Sequence, residues 1–592
     1  MLIYDGKCSF CMAWIRYWRQ ITRGIEYAPS QEVKERFLDI PEKNFAEAVQ
    51  LVLPNREVRS GAHAVFTALA TAPEKRWMLR VYEKVPPFAV VAEAVYAVCA
   101  WNRSLSYWMT KLLWGIPIQL QTNIAVVEVF QRLLGVIYLI AFLSFGVQSR
   151  GLIGEHGILP VGDLLDAAHR YYGGKAYWLL PTMFWIAHSN AAIAAVWIAG
   201  SICSVCLMFG VVRRFSCFAA FGLYLSLVSA GRIFMGYQWD ALLLEAGFLA
   251  IFLRWSRVIT WLFRWLLFRL MFMSGAVKLL SGDVTLRDLT ALTYHYHTQP
   301  LPTPLAWYVD KLPASAQRFS TAATLTVELL VPFFVFLPRR PRLLAAWIIA
   351  IFQTLIMLTG NYTFFNLLTI ALCVMLFEDR DVARCGLRRW VEKLQSRFKA
   401  GAHGVRRVVA ISVAGLVFGL SLISLSEGLL RFAPEPLMQI SIFFSPFPIA
   451  NSYGLFANMT TTRPEVVLEA SDDGVQWQEY KFKYKAGNVM RRPRWVAPYQ
   501  PRLDWQMWFS ALGTYDEDPW FLHFVRRLLQ GEPDVLRLLQ GAPAKPPKYI
   551  RAWLYDYRFT TSDEHRQTGA WWHRERMDMY MPKVSLEDFA ER

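Results

Sequence analysis

Long apolar stretches separated by clusters of arginine and lysine dominate the middle of the chain. A bilayer-spanning helix needs about 20 mostly apolar residues. Nine stretches approach that length, near 124–146, 190–211, 215–234, 238–253, 258–280, 319–337, 342–358, 361–377 and 408–430. The stretch at 238–253 is short and the one before it carries Arg232, so their connection reads either as a loop between two spans or as a re-entrant one. The run 85–101 is also apolar, but Pro86, Pro87 and Glu93 fit a packed soluble helix better. Ahead of it, Leu2–Tyr4 reads as a strand, Met12–Arg19 as a helix, and Ile25–Tyr27 and Val49–Leu53 as further strands. Past residue 430 the pattern changes again. Val466–Ala470 alternates, Asp472-Asp473-Gly474 marks a turn, and Tyr480–Tyr484 has period two, which together predict a hairpin. A helix near Trp520–Leu529 and a strand at Tyr549–Phe559 follow. The expected architecture is a polytopic α-helical membrane protein of about nine spans. An α/β domain over 1–115 precedes the membrane domain (116–430), and a β-rich domain (431–592) follows it.

Composition agrees: 55% of residues are hydrophobic and 18% charged. The net charge of +17 raises nucleic acid as a partner, but the basic residues cluster at the ends of apolar runs, where they set topology. Arg213 and Arg214, Arg254 and Arg257, and Arg339, Arg340 and Arg342 mark every second loop. The stretch Arg380–Arg407, with nine Lys/Arg, is the fourth such group. The positive-inside rule then places the N-terminus in the cytoplasm, and nine crossings place the C-terminal domain outside. The opening MLIYDGKCSFC lacks the basic and apolar regions of a signal peptide.

Cys8 and Cys11 form a C-x-x-C at the predicted start of a helix. There the positive end of the helix dipole favours a thiolate at Cys8, and Cys11 lies close enough to resolve a mixed disulfide. A metal site or two inert thiols are the other readings, but no second such pair or nearby histidine completes four ligands. Tyr4-Asp5-Gly6, Cys8 and Cys11, with Ser60-Gly61-Ala62-His63-Ala64 and Ala100-Trp101-Asn102-Arg103, resemble the DCC family of thiol–disulfide oxidoreductases over about the first 115 residues. That resemblance implies a thioredoxin-like domain served by a cytoplasmic thiol reductant. The second pair, Cys203 and Cys206, lies inside an apolar span, where packing explains it.

Ionisable side chains in a bilayer are costly and therefore candidates for function. Asp240, Glu245, Arg269 and Lys278 fall in adjacent spans at depths that predict two pairings, Asp240 with Lys278 and Glu245 with Arg269. Paired charges of this kind either fix helix register or take part in chemistry. Glu128 and Arg132, at i,i+4, can satisfy each other. His295 and His297 alternate with Tyr294 and Tyr296, which would place both histidines on one face of an extended loop. Two histidines do not make a zinc site, and no metal or cofactor is expected. Asn361 and Asn458 fit the N-glycosylation sequon.

Several of these segments resemble the lipase maturation factor family. Phe130–Gly135 and Gln148–Pro160 (including Glu155 and His156) do so, as do Tyr237–Phe248, Ser274–Asp283 and Leu292–Pro302 (including His295, His297 and Gln299). In the tail, Asn451–Phe456, Glu469–Gly474, Pro501–Phe509 and Pro546–Arg551 continue the match. The resemblance implies a chaperone-like membrane factor for exported clients, lipases among them, working against membrane lipid. The family's eukaryotic members reside in the endoplasmic reticulum, whereas the DCC fusion suggests a bacterial inner-membrane protein. Trp505, Trp508, Phe509, Trp571 and Trp572 are candidates either for client contact or for the tail's core. Gly275-Ala276-Val277-Lys278 is similar to the lysine-bearing segment of vitamin K-dependent carboxylase-like proteins. That alternative would make Lys278 a base in a membrane enzyme acting on a lipid-soluble or peptide substrate.

Overall fold

The computed structural model describes residues 1–397 and 404–589. The predicted basic group at 380–407 lies partly outside the described residues, Lys399 with it. The chain forms two compact units, one of residues 1–122 with 336–344, the other of 123–335 with 345–592.

In the first unit, four short strands make one sheet: β1 (Leu2–Tyr4), β2 (Tyr27–Pro29), β3 (Gln50–Val52) and β4 (Val58–Ser60). Their order is β2-β1-β3-β4, with β1 parallel to β2 and antiparallel to β3. Successive side chains of a strand face opposite sides. Accordingly Leu2 packs with Ile15 and Ala64 on one face, while Ile3 packs with Ala28 and Phe45 on the other. Helix α1 (Ser9–Trp18) follows β1, and α2 (Gly61–Ala70) follows β4. Three longer helices follow: α3 (Arg76–Lys84), α4 (Pro86–Trp101) and α5 (Arg103–Leu113). The apolar run at 85–101 is α4, bent 110° from α3. Its Glu93 accepts hydrogen bonds from the Ala62 and His63 amides at 3.2 and 3.0 Å and from the Tyr82 hydroxyl at 2.7 Å. An acid placed to receive the orphan N–H groups of α2 explains why this apolar helix carries one.

Seven helices of the described residues are long and apolar enough to cross a membrane. They are α6 (Ile124–Gly146), α7 (Asn190–Phe209), α8 (Arg213–Phe234), α10 (Arg257–Leu280), α12 (Ala314–Phe336), α13 (Arg339–Thr359) and α15 (Val405–Leu430). The other two of the nine expected spans form shorter helices. These are α9 (Gln238–Phe252), of 15 residues, and α14 (Phe365–Val374), of 10. The segment Tyr294–His297 is helical too, within α11 (Ala291–Thr298). Positions two apart on a helix are about 200° apart around its axis, so His295 and His297 face different neighbours rather than sharing one face.

Close helix contacts rest on small residues. A Cβ on Gly247 of α9 would lie 1.8 Å from the Tyr138 hydroxyl of α6, and one on Gly200 of α7 would lie 2.3 Å from the Phe142 ring. Small residues of this kind let membrane helices approach closely where no hydrophobic force drives them together.

The tail begins with α16 (Glu435–Phe444) and contains a sheet ordered β6-β5-β7-β8. Its strands are β5 (Pro464–Ser471), β6 (Gln478–Glu479), β7 (Tyr549–Phe559) and β8 (Trp572–Val584). The expected hairpin is cut short: Gln478 and Glu479 pair with β5, and the Tyr480 amide adds one last bond to the Leu468 carbonyl at 2.9 Å. Past them, the amides of Tyr484 and Lys485 donate instead to the Asp504 carboxylate at 2.8 and 2.9 Å, so they are unavailable to a ladder. Helices α17 (Arg502–Ser510) and α18 (Pro519–Gln530) share the domain, which is therefore mixed α/β rather than mostly β. Trp505 and Trp572 are buried, which assigns them to the core, while Phe509 is 44% exposed.

Candidate functional site

The dithiol is built by the turn between β1 and α1. The Asp5 carboxylate accepts the Lys7 amide at 3.0 Å and the Gln31 side-chain amide at 2.9 Å. Its other oxygen pairs with Arg103 at 2.9 Å. A Cβ on Gly6 would lie 2.7 Å from the Pro29 side chain, so the turn closes only with glycine there. Cys8 caps α1, its sulfur accepting the Cys11 amide at 3.2 Å. Hydrogen bonding from Cys11 pulls the Cys8 thiol down to about 6; burial opposes this, and the Arg103 cation assists. Cys11 shifts upward, through its hydrogen bond to Cys8 and its own burial. The two shifts make Cys8 the more acidic thiol and Cys11 the less acidic, an asymmetry suited to thiol–disulfide exchange.

Asp240, Glu245, Arg269 and Lys278 are each held in an ion pair, but one expected pairing is replaced. Glu245 does meet Arg269, and it also accepts the Tyr453 hydroxyl at 2.8 Å and the Asn451 amide at 3.0 Å. Asp240 pairs with Arg502 of the tail rather than Lys278: two hydrogen bonds of 2.6 and 2.9 Å join them, and the Tyr224 hydroxyl donates to the same carboxylate. Lys278 instead pairs with Glu328 at 2.7 Å. Matching depth does not fix which way a side chain faces around its helix, and both true partners come from far along the chain. Glu128, fully buried, takes Arg213 at 2.5 Å and Arg254 at 2.6 Å besides Arg132 at 3.0 Å.

A second buried network ties the tail to the loop after α11. Arg463 pairs with Glu465 at 2.7 Å, Glu465 with Lys485 at 2.6 Å, and Arg463 donates to the carbonyls of His297, Gln299 and Pro300. Gln299 is buried, its side chain donating to the Thr359 carbonyl at 2.9 Å and accepting from the Tyr362 hydroxyl at 2.8 Å. His297 meets Asp310 at 2.8 Å, and His295 lies 3.3 Å from the Tyr362 hydroxyl. Burial lowers His295 to about 4, with the Lys278 cation adding, so it is neutral at physiological pH. Glu155 and His156 are exposed on a loop apart from these networks. Asn361 is 2% exposed, and its side-chain oxygen accepts the Val496 and Ala497 amides at 2.8 and 2.9 Å. It cannot accept a glycan in this fold.

Arg103, Glu328, Tyr453, Arg463 and Arg502 were not identified from sequence as partners of these sites. Arg103 and Arg502 sit in the motif stretches Ala100–Arg103 and Pro501–Phe509, a signal that marked them without telling what they meet.

Apolar helices bound by buried ion pairs to an extramembrane domain define an integral membrane protein with a folded tail. Family models match three parts of the chain. The lipase maturation factor transmembrane domain matches residues 125–384, its C-terminal domain residues 449–582, and the DCC1-like thiol-disulfide oxidoreductase residues 2–109. Lipase maturation factor 2 of Gallus gallus is 36% identical over 595 residues, covering 78% of this chain and 81% of the relative. Lipase maturation factor 1 of Mus musculus is 36% identical, covering 78% of this chain and 88% of its own length. That of Homo sapiens is 34% identical with the same coverage. No solved structure matches the chain. The chain belongs to the lipase maturation factor family, with a thiol–disulfide oxidoreductase-like domain at its N-terminus.

Proposed function

We propose that the protein is a membrane-anchored maturation factor that helps exported lipases reach their folded state. The observation that carries this is the match to named lipase maturation factors along both the membrane helices and the tail. The buried charges support a scaffold: Asp240, Glu245 and Lys278 each have an ion-pair partner. A catalytic base would need to be free to accept a proton, so the carboxylase-like alternative is not favoured. In this reading nine crossings, or seven if α9 and α14 do not span, leave the two ends on opposite sides. The positive-inside rule applied to the nine-span parse then puts Cys8 in the cytoplasm and the tail in the export compartment. The N-terminal unit, thioredoxin-like in its strand order, is then a separate redox module that exchanges with a cytoplasmic thiol reductant.

Deleting the gene in its host and measuring activity per amount of exported lipase tests the proposal. Specific activity should fall severalfold and return with the full chain. Lipases of normal specific activity in the deletion strain would refute it.

A further inference from the structure

Behind Cys11 lies a cavity of about 310 Å³. That volume is at the low end of small-molecule sites, about 300–1,000 Å³. Phe10, Trp14, Trp18 and Phe66 form its apolar walls, and Ala92 of α4 its outer side. Polar groups gather at the Cys11 end, where Asp5, Arg103 and Tyr96 also line it. The Tyr96 hydroxyl accepts the Val49 amide at 2.8 Å, which leaves its own proton to donate. The outer face of α4 and α5 is a run of exposed apolar residues, among them Val90 at 70%, Val98 at 65%, Trp101 at 87% and Trp108 at 58%. A contiguous apolar face of this kind marks an interaction surface. In a chain anchored by its own spans, the lipid surface is the apolar partner at hand.

These features narrow the occupant's chemistry. It is apolar, because the walls are. It carries a polar acceptor at one end, to meet Tyr96 beside Cys11. It exchanges two electrons, because the thiol that completes the dithiol forms part of its wall, and it reaches the site from the bilayer. We propose that this cavity binds a lipid-soluble quinone, which oxidises the Cys8–Cys11 pair. The inference rests on the reading of that pair as a working dithiol. In the step, the Cys8 thiolate sulfur bonds to the Cys11 sulfur as the Cys11 S–H bond breaks. Two electrons, that proton and one more from solvent pass to the quinone, which leaves as the hydroquinone.

The test uses the full chain in lipid nanodiscs with decylubiquinone as the probe. Cys99 lines the same cavity, so in a Cys8→Ser/Cys11→Ser variant its alkylation by N-ethylmaleimide, followed by mass spectrometry, reports occupancy. Decylubiquinone should slow Cys99 labelling about tenfold and leave the exposed Cys385 unaffected. In the unsubstituted protein without oxygen, it should form the disulfide with an equal amount of hydroquinone. Filling the cavity by Ala92→Leu, and further by Ala92→Trp, should slow that oxidation stepwise; if the Trp variant does not fold, the Leu variant carries the comparison. Cys99 labelling indifferent to quinone, equal protection by a saturated fatty acid, or equal oxidation rates in the filled variants each overturn the proposal. A pair oxidised by water-soluble diamide but not by quinone overturns it while sparing the dithiol reading. A pair that neither reagent oxidises ends both.

Discussion

Cys8 takes its character from its own helix and from one distant cation. The Cys11 hydrogen bonds are local, whereas Arg103 arrives from the far end of the unit. The rate of Cys8 alkylation should therefore rise with an inflection near pH 6, and Cys11→Ala should move that inflection up toward the ordinary thiol range. A mass-spectrometric pH profile of iodoacetamide labelling reads both. The sign for stability follows from the same shift. Because the folded thiol is the stronger acid, the reduced domain gains stability as pH rises from about 6 to about 9 and loses that gain on acidification. At Asp240 the logic is removal of a partner. Arg502 and Asp240 are fully buried, and truncating one side of such a pair costs about 3–5 kcal/mol because a buried charge is left bare. Arg502→Ala should lower the thermal midpoint in detergent sharply, and Asp240→Asn combined with Arg502→Met should lose much less. Equal losses in the single and double variants would show that the pair is not what holds the region.

Among the helices, packing is set where glycine meets a ring. Tyr138 of α6 reaches across α9 to donate to the Leu243 carbonyl at 3.2 Å, over the bare backbone of Gly247. Gly247→Ala should cost about 1–3 kcal/mol through overpacking, and adding Tyr138→Phe, which removes the clashing hydroxyl, should recover part of it. Thermal denaturation of the single and double variants measures the coupling. This scale also shows what sequence can and cannot convey. The long spans, the Cys8–Cys11 turn, β5, α18 and β7 were legible because each writes a periodicity or a cap into a short window. Glu245 with Arg269 was legible because both lie on consecutive helices at compatible depth. Asp240 with Arg502 and Lys278 with Glu328 were not, because depth says nothing about azimuth or about segments 50 to 262 residues away. Tyr480–Tyr484 has the pattern of a strand, yet the run leaves β5 after Tyr480: Lys481 bridges to Gly541, and the Tyr484 amide goes to Asp504. Tyr294–His297 alternates as a strand would, but four residues are too few to separate that reading from one turn of helix.

For the molecule as a whole, the membrane helices and the tail share one set of charges. Asp240 and Glu245 both sit on α9, and the tail supplies Arg502 to the first and Tyr453 and Asn451 to the second. Removing the tail after residue 431 should therefore destabilise the helices themselves, not merely shorten the protein. Asp240→Asn with Glu245→Gln should restore part of the loss, because neutral amides cost less than bare carboxylates when buried. Folded yield by size-exclusion chromatography checks this, and a truncated protein that is fully stable without the neutralising changes would contradict it.

That sharing has a consequence for how the chain is born. Asp240 leaves the ribosome 262 residues ahead of Arg502, an interval of roughly 13 to 52 seconds at about 5–20 residues per second. Through that time α9 carries an acid with its guanidinium still unsynthesised. The nascent protein must shelter that helix, at the insertion machinery or among its neighbours, until translation delivers the counter-ion.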